Sequence, residues 1–283
     1  MKRFFSFTLI FCSLNTDAAE IKHRFLAKDE SRAQLHYVNQ LDPSQDWTIQ
    51  LPKGCRDIRR AGNNHLLVSH PDGYLEYDLD TQKQLKQVVV KKSAKIESLE
   101  RLPNGHTILA GRAGCITFYE LDVNDQLVRS KAFKQYQNIR LFRLSPEGHF
   151  LFGANTDHVV EADWNGTVYA DFQVPGGKHI YWIKKLNGGK AYRVSTGYGK
   201  SIVDIAPTGK ILRTLGGKDE HHFFSRPFEL KNGNVIASHW TGHGHDDSQK
   251  SAQLIEFNAE GDIVWSWHDP ERAGTIHGVI ILN

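Results

Sequence analysis

Apolar and polar residues alternate at period two in short runs along this chain. The runs include Tyr74-Leu75-Glu76-Tyr77-Asp78, Ile116-Thr117-Phe118-Tyr119-Glu120, Val159-Val160-Glu161-Ala162-Asp163, Ile202-Val203-Asp204-Ile205 and Leu254-Ile255-Glu256-Phe257. Such alternation puts one face of a strand on a core and leaves the other outside. Ahead of each run stands a turn and a more apolar stretch. The turns are Gly62-Asn63-Asn64 before His65–Val68, Pro103-Asn104-Gly105 before His106–Leu109, and Pro146-Glu147-Gly148 before His149–Phe152. Asn187-Gly188-Gly189 before Lys190–Tyr192 and Lys231-Asn232-Gly233 before Asn234–Ile236 continue the series. Glycine and asparagine supply the positive φ that a tight hairpin needs. A second turn follows each alternating run, at Asp80-Thr81, Asn124-Asp125, Asn165-Gly166, Thr208-Gly209 and Glu260-Gly261. A last strand such as Gln84–Val89 ends the unit.

Each unit is thus a four-stranded antiparallel sheet, and a spacing of about forty residues is that of a propeller blade. Five complete units run from about Cys55 to Asp269. The ends supply the sixth. Ile276–Leu282 reads as a first strand, and Phe25–Ala27, Ala33–Val38 and Asp46–Leu51 read as the three that follow it. The pattern predicts an all-β, six-bladed β-propeller over residues 20–283, closed by one C-terminal strand plus three N-terminal strands. Closure removes the open edges of a linear array. A β-sandwich would need neither the regular unit nor the complementary ends.

The pattern Leu-Pro-Asn-Gly-x-x-Ile-Leu-Ala at Leu102–Ala110, with Glu256–Trp267, resembles the repeats of secreted bacterial PQQ-like and arylsulfotransferase-like propellers. The resemblance covers essentially the whole mature chain and speaks for architecture more than activity, since propellers host many functions. It implies one chemical option, because arylsulfotransferases carry the sulfuryl group on a channel histidine helped by further His and Arg. His277, His179, His239, Arg140 and Arg226 are the counterparts by residue type and face. PQQ itself would need a stacking aromatic and several cations, of which Trp182, Trp240 and the two arginines supply only part. PQQ is therefore not the expected cofactor.

Composition narrows the function classes. A formal net charge of +3 with scattered basic residues argues against nucleic-acid binding. Residues 1–19 combine Met1-Lys2-Arg3, the apolar Phe4–Leu14 and the small residues Ala18 and Ala19, the pattern of a secretory signal peptide. The expected location is periplasmic or secreted. No later run is long enough for a transmembrane segment. Cleavage leaves Cys55 and Cys115, expected as two buried free thiols. There is no GxSxG, P-loop or CxxC.

The candidate chemistry gathers on one face, where second-to-third loops and blade-to-blade loops meet. Fifteen histidines is a high count, and the loop His239–Ser251 concentrates them. His243, His245 and Asp246 are candidate ligands for a divalent metal, or members of a solvated loop. Counting back from the first turns brings Asp57, Ser98, Arg140, Trp182 and Arg226 to one level of the channel, with His277 at or beside it. Two arginines there would grip a sulfate, phosphate or carboxylate, or pair with Asp57, Glu97 and nearby carbonyls. Asp57, His179, Trp182, His239 and Trp240 are the ligand-binding candidates, and His277, Arg226 and Arg140 the catalytic ones. Two function classes follow. One is a propeller binding a small anionic molecule or glycan, or a cell-envelope protein, on its His-rich face. The other is an enzyme of that face, a transferase or a lyase using the channel His and Arg. A tight cluster of His277, Arg140 and Arg226 around a pocket points to the enzyme. A channel plugged by Trp182 and internal salt bridges points to binding.

Overall fold

A computed structural model describes residues 20–282 apart from 63, 91–93, 219 and 245. Residues 1–19, expected as a signal peptide, and the candidate ligand His245 lie outside the described residues. Strands β1 (Arg24–Asp29), β2 (Gln34–Asn39) and β3 (Trp47–Gln50) come first. The second blade is β4 (Ile58–Ala61), β5 (His65–His70), β6 (Gly73–Asp78) and β7 (Gln84–Val89). The third is β8 (Lys95–Arg101), β9 (Thr107–Arg112), β10 (Ile116–Leu121) and β11 (Leu127–Phe133). The fourth is β12 (Phe142–Leu144), β13 (Phe150–Ala154), β14 (His158–Ala162) and β15 (Val168–Gln173). The fifth is β16 (Trp182–Leu186), β17 (Ala191–Ser195), β18 (Ser201–Ile205) and β19 (Ile211–Gly216). The sixth is β20 (Phe223–Glu229), β21 (Val235–Trp240), β22 (Leu254–Phe257) and β23 (Ile263–Trp267). The last strand, β24 (Ile276–Ile281), pairs antiparallel with β1 and so becomes the inner strand of the first blade. Six four-stranded sheets form a ring, a six-bladed β-propeller closed as the repeat predicts.

The core lies between blades. Phe118 stacks on Phe150 with ring centroids 3.9 Å apart, while Phe133, Phe142 and Phe152 surround them edge-on or tilted. Trp265 and Trp267 bury against Phe25 at the closure. Trp47 stacks on Tyr37, and Trp164 packs on Phe150. These four tryptophans are blade packing, as their outer-strand positions suggest. At the first turn of the third blade, Gly105 has φ +85, a conformation that costs glycine no Cβ strain.

Much of the histidine excess has a structural cause that repeats with the blade. The histidine after the first turn bonds the glutamate of the third strand: His65 to Glu76 at 2.7 Å, His106 to Glu120 and His149 to Glu161 at 2.8 Å. Each pair ties two strands of one sheet. Cys55 and Cys115 are free thiols. Cys55 is buried, and burial pushes its thiol up to about 11. Cys115 is only half-buried, which corrects the expectation of two buried thiols.

Candidate functional site

Ring closure builds the site. The loop after β1 is pinned to the chain before β24 by backbone and carboxylate bonds. Glu30 N–H donates to Thr275 O at 2.8 Å, and Gly274 N–H donates to Asp29 Oδ2 at 2.6 Å. A bulge between Lys28 and Asp29 interrupts the β1–β24 register, and bulges re-aim side chains. Glu30 then faces His277, whose Nδ1 lies within ion-pair distance of Glu30 Oε2. The same Nδ1 is 3.0 Å from the Tyr181 hydroxyl, which also accepts from Arg56 Nη1 at 3.3 Å. His277 Nε2 is buried and has no hydrogen-bond partner among the described residues.

Electrostatics fix the charge states. Burial pushes His277 down to about 4, against the upward pull of Glu30. Burial alone would raise the Glu30 carboxyl. The His277 hydrogen bond and charge, with Arg56 and Lys28 nearby, overturn that and hold it well below the usual carboxylate range. At neutral pH the pair is a carboxylate and a neutral imidazole. A proton on Nδ1 suits the facing carboxylate, which leaves a lone pair on Nε2. Burial also pushes the Tyr181 phenol up to about 12 and the buried Lys28 amine down to about 8.

A cavity of about 130 Å³ surrounds this pair, lined also by Arg56, Arg140, His179, Tyr198, Phe223, Trp240 and His243. Trp240 lies over His277 with centroids 5.4 Å apart and planes 25° apart, and it packs on Phe223 at 4.4 Å. Tyr198 stands edge-on to Phe223 at the rim and is 48% exposed. Gly197 lets this loop in: with φ +61, a Cβ there would sit 2.3 Å from the His179 carbonyl oxygen. Of the cavity's arginines, Arg56 is matched by Glu97, at 2.5 Å from its Nε, and Glu97 also takes Arg112 at 2.6 Å. Arg140 is half-buried and donates only to Ile139 O at 3.2 Å, with no carboxylate partner among the described residues. Burial, then Arg140 and Arg56, push His179 down to about 4.

His243 belongs to this group. It lies 4.5 Å from Trp240 and 6.0 Å from His277 by ring centroid. Glu30, His243 and His277 each offer a ligand atom within 4.8 Å of the others. Asp246 is exposed and stands at the start of the short 3-10 turn Asp247–Gln249. Among the described residues the set of donors that come together is Glu30, His243 and His277, of which His243 belongs to the loop set His243, His245 and Asp246.

Other candidates lie elsewhere. His239 is fully buried: its Nδ1 donates to Ala252 O at 2.9 Å and its Nε2 accepts from His222 N–H at 3.2 Å. Both ring nitrogens hold loop backbone, which corrects the expectation that His239 meets ligand. Asp57 is fully used as well. It takes Arg143 Nη1 and Nη2 at 2.8 and 2.9 Å and the Ser98 hydroxyl at 2.5 Å. Burial would raise its carboxyl, but Arg143 holds it below the ordinary value. The arginine beside Asp57 is Arg143, and Arg140 lies three residues nearer the His-rich face. Arg226 lines a separate cavity at the other end of the inner strands, with its Nη1 on Ile58 O at 2.7 Å. Arg226 sits at the edge of a bulge between Phe224 and Pro227, within electrostatic reach of Asp57 and Arg143, and Arg140 is the member that lies off this level. Trp182 is buried in an apolar cluster with Leu141, Tyr181, Phe223 and Trp240, and lines that far cavity rather than the near one. The expected catalytic set is therefore divided: His277 and Arg140 share a cavity, and Arg226 does not. The channel between is filled by the aromatic cluster and the Asp57–Arg143 pair.

Glu30, Arg56 and Tyr181 carry no local motif. The signal available for Glu30 is its place in a second-to-third loop of the His-rich face.

No protein-family model matches the sequence, and neither does any curated protein. The fold is similar to that of a protein of unknown function from Bacteroides caccae, with TM-score 0.77 and 20% identity over 93% of this chain and 99% of that one. A catalytically inactive histidine-to-alanine variant of virginiamycin B lyase from Staphylococcus aureus, with quinupristin, matches at TM-score 0.60 and 10% identity, over 88% and 85%. A nidogen/laminin complex matches at 0.66 and 11%, over 92% and 98%. At these identities the likeness is one of fold.

Proposed function

We propose that the protein binds a small anionic molecule or the acidic end of a glycan in the His277 cavity, the class that the divided cluster and filled channel favour, and that His277 and Arg140, which do share that cavity, let it act on the bound acid as a lyase. The carrying observation is the buried Glu30–His277 pair, a neutral imidazole with Nδ1 committed and Nε2 free of hydrogen bonds. His277 Nε2 takes the proton from the carbon beside the substrate carboxylate. The C–H electron pair becomes a carbon–carbon double bond, and the C–O bond one carbon further on breaks. The leaving oxygen keeps its electron pair and is protonated by solvent. Arg140 holds the carboxylate and the charge that develops on it. The fold supports such a role, since virginiamycin B lyase is a lyase whose histidine variant is inactive.

The test is incubation of the mature protein with uronic-acid oligosaccharides, following the ultraviolet absorbance of the unsaturated product. Turnover that falls at least about a thousandfold in His277→Ala supports the base. Binding without turnover reduces the protein to a binding propeller, the simpler of the two classes. An arylsulfotransferase-like activity would use the same Nε2 as nucleophile. Release of phenol from an aryl sulfate, with a sulfuryl adduct on His277, would replace the lyase reading.

His243 favours a second reading. With Glu30 and His277 it forms a His₂–Glu donor set of the kind zinc accepts. Near-stoichiometric zinc in untagged protein, lost in His243→Ala, would make His277 a ligand instead of a base. Export to the periplasm or beyond rests on the pattern of residues 1–19, and N-terminal sequencing of the mature chain tests it.

A further inference from the structure

The cavity at the other end of the inner strands has a volume of about 540 Å³, within the usual range for small-ligand pockets. Four of its residues follow residues of the His277 cavity by three positions along the chain: Arg59 after Arg56, Arg143 after Arg140, Lys184 after Tyr181 and Arg226 after Phe223. Three residues of strand span about 10 Å, and the two cavities share no lining residue.

Most charges here are matched. Arg143 is held by Asp57, Arg59 by Glu100, and Lys184 by Glu229. Arg226 is the exception. It is 5% exposed, donates to the Ile58 carbonyl, and has no carboxylate within ion-pair distance among the described residues. Arg143 and Arg59 add repulsion to its burial, and Asp57 and Glu100 only partly offset it. A buried cation without a partner is costly, and the cost is relieved by an anion in the adjoining space. Glu100 Oε2 is also buried without a hydrogen-bond partner, an acceptor awaiting a donor. Leu144, Trp182 and Phe228 supply apolar wall in the same cavity.

We propose that this cavity is a second ligand site, for a small organic acid that also carries a hydroxyl. Its carboxylate lies on the Arg226 guanidinium, in the paired geometry that guanidinium favours. Its hydroxyl donates to Glu100 Oε2, and its carbon skeleton covers Trp182 and Phe228. The site is independent of the chemistry at His277.

Calorimetric titration with D-glucuronate tests it, with methyl β-D-glucoside as the neutral control. The titration uses the full mature chain carrying His277→Ala and Arg140→Met, so that the near cavity is disabled. Saturable binding of the acid alone is expected, weakened at least about tenfold by Arg226→Met, the loss of roughly one charged hydrogen bond. Leu144→Trp, which fills the cavity and leaves Arg226 in place, should weaken it as much and serves if Arg226→Met does not fold. No saturable heat, equal binding of the glucoside, or binding that survives Leu144→Trp would each overturn the proposal.

Discussion

Glu30 and His277, from opposite ends of the sequence, meet inside one cavity as a carboxylate facing a neutral imidazole. The strand pairing that closes the ring is the same pairing that joins them. Glu30→Gln keeps the shape and removes the charge that sets the His277 tautomer. Activity is expected to fall by about 10²–10⁴, with the thermal midpoint lowered as well, because the depressed Glu30 carboxyl also contributes stability. An unaltered kcat/KM in that variant would show the pair to be idle in catalysis.

Stability should be acid-sensitive. His277 and His239 are each held at about 4 by burial, against about 6.5 in an unfolded chain. The unfolded state therefore binds more protons between those values. The contribution is fully present above about pH 6.5 and is lost as pH falls towards 4, about 3 kcal/mol for each buried ring. Glu30 acts in the same direction below about pH 4, because its folded value is depressed. Urea midpoints should decline steadily from about pH 6.5 downwards. A flat profile between about pH 7 and 5 would contradict the burial of both rings.

His239 and His243 should separate cleanly in denaturation experiments. His239→Ala strips the His222 N–H and Ala252 carbonyl of their partner, a loss of about 2–4 kcal/mol with the cavity included. His243 is exposed, so His243→Ala should change stability by less than about 0.5 kcal/mol. Its effect should appear in ligand or metal binding instead. Equal destabilisation by both would remove the distinction between loop anchor and site residue.

Asp57→Ala should be among the most damaging single changes. It abandons the buried Arg143 guanidinium, at a cost of about 3–5 kcal/mol. Replacing both, as Asp57→Ala with Arg143→Met, removes the orphaned charge and should restore part of that loss. A double variant less stable than Asp57→Ala would mean that the pair contributes more than mutual neutralisation.

The propeller was legible because its signals are local. Glycine turns such as Gly105 and alternating strands such as Tyr74–Asp78 repeat within each blade. The complementary ends followed from counting strands. The His-rich face was legible as a set of loops, and His179, Trp240, His243, His277 and Arg140 do line one cavity there. The repeating His–Glu pairs were present in the sequence too, but a raw histidine count hides them. Level within the channel was not legible. Bulges at Ile96/Ser98 and Phe224/Pro227 each insert a residue into an inner strand, and which cavity a residue reaches depends on such local geometry and on neighbouring blades rather than on its distance from a turn.

The sequence by itself therefore determined the blade, the number of blades and the manner of closure, since hairpin geometry and period-two burial depend on near neighbours. The tertiary structure alone decided which polar groups are used up and which are left over. Asp57 and His239 are spent on internal partners, whereas His277 Nε2, Arg140 and Arg226 are not spent on carboxylates or ring bonds of the described chain. That division depends on contacts between different blades, and on burial that strengthens the interactions among the charges it encloses while penalising each charge left unpaired.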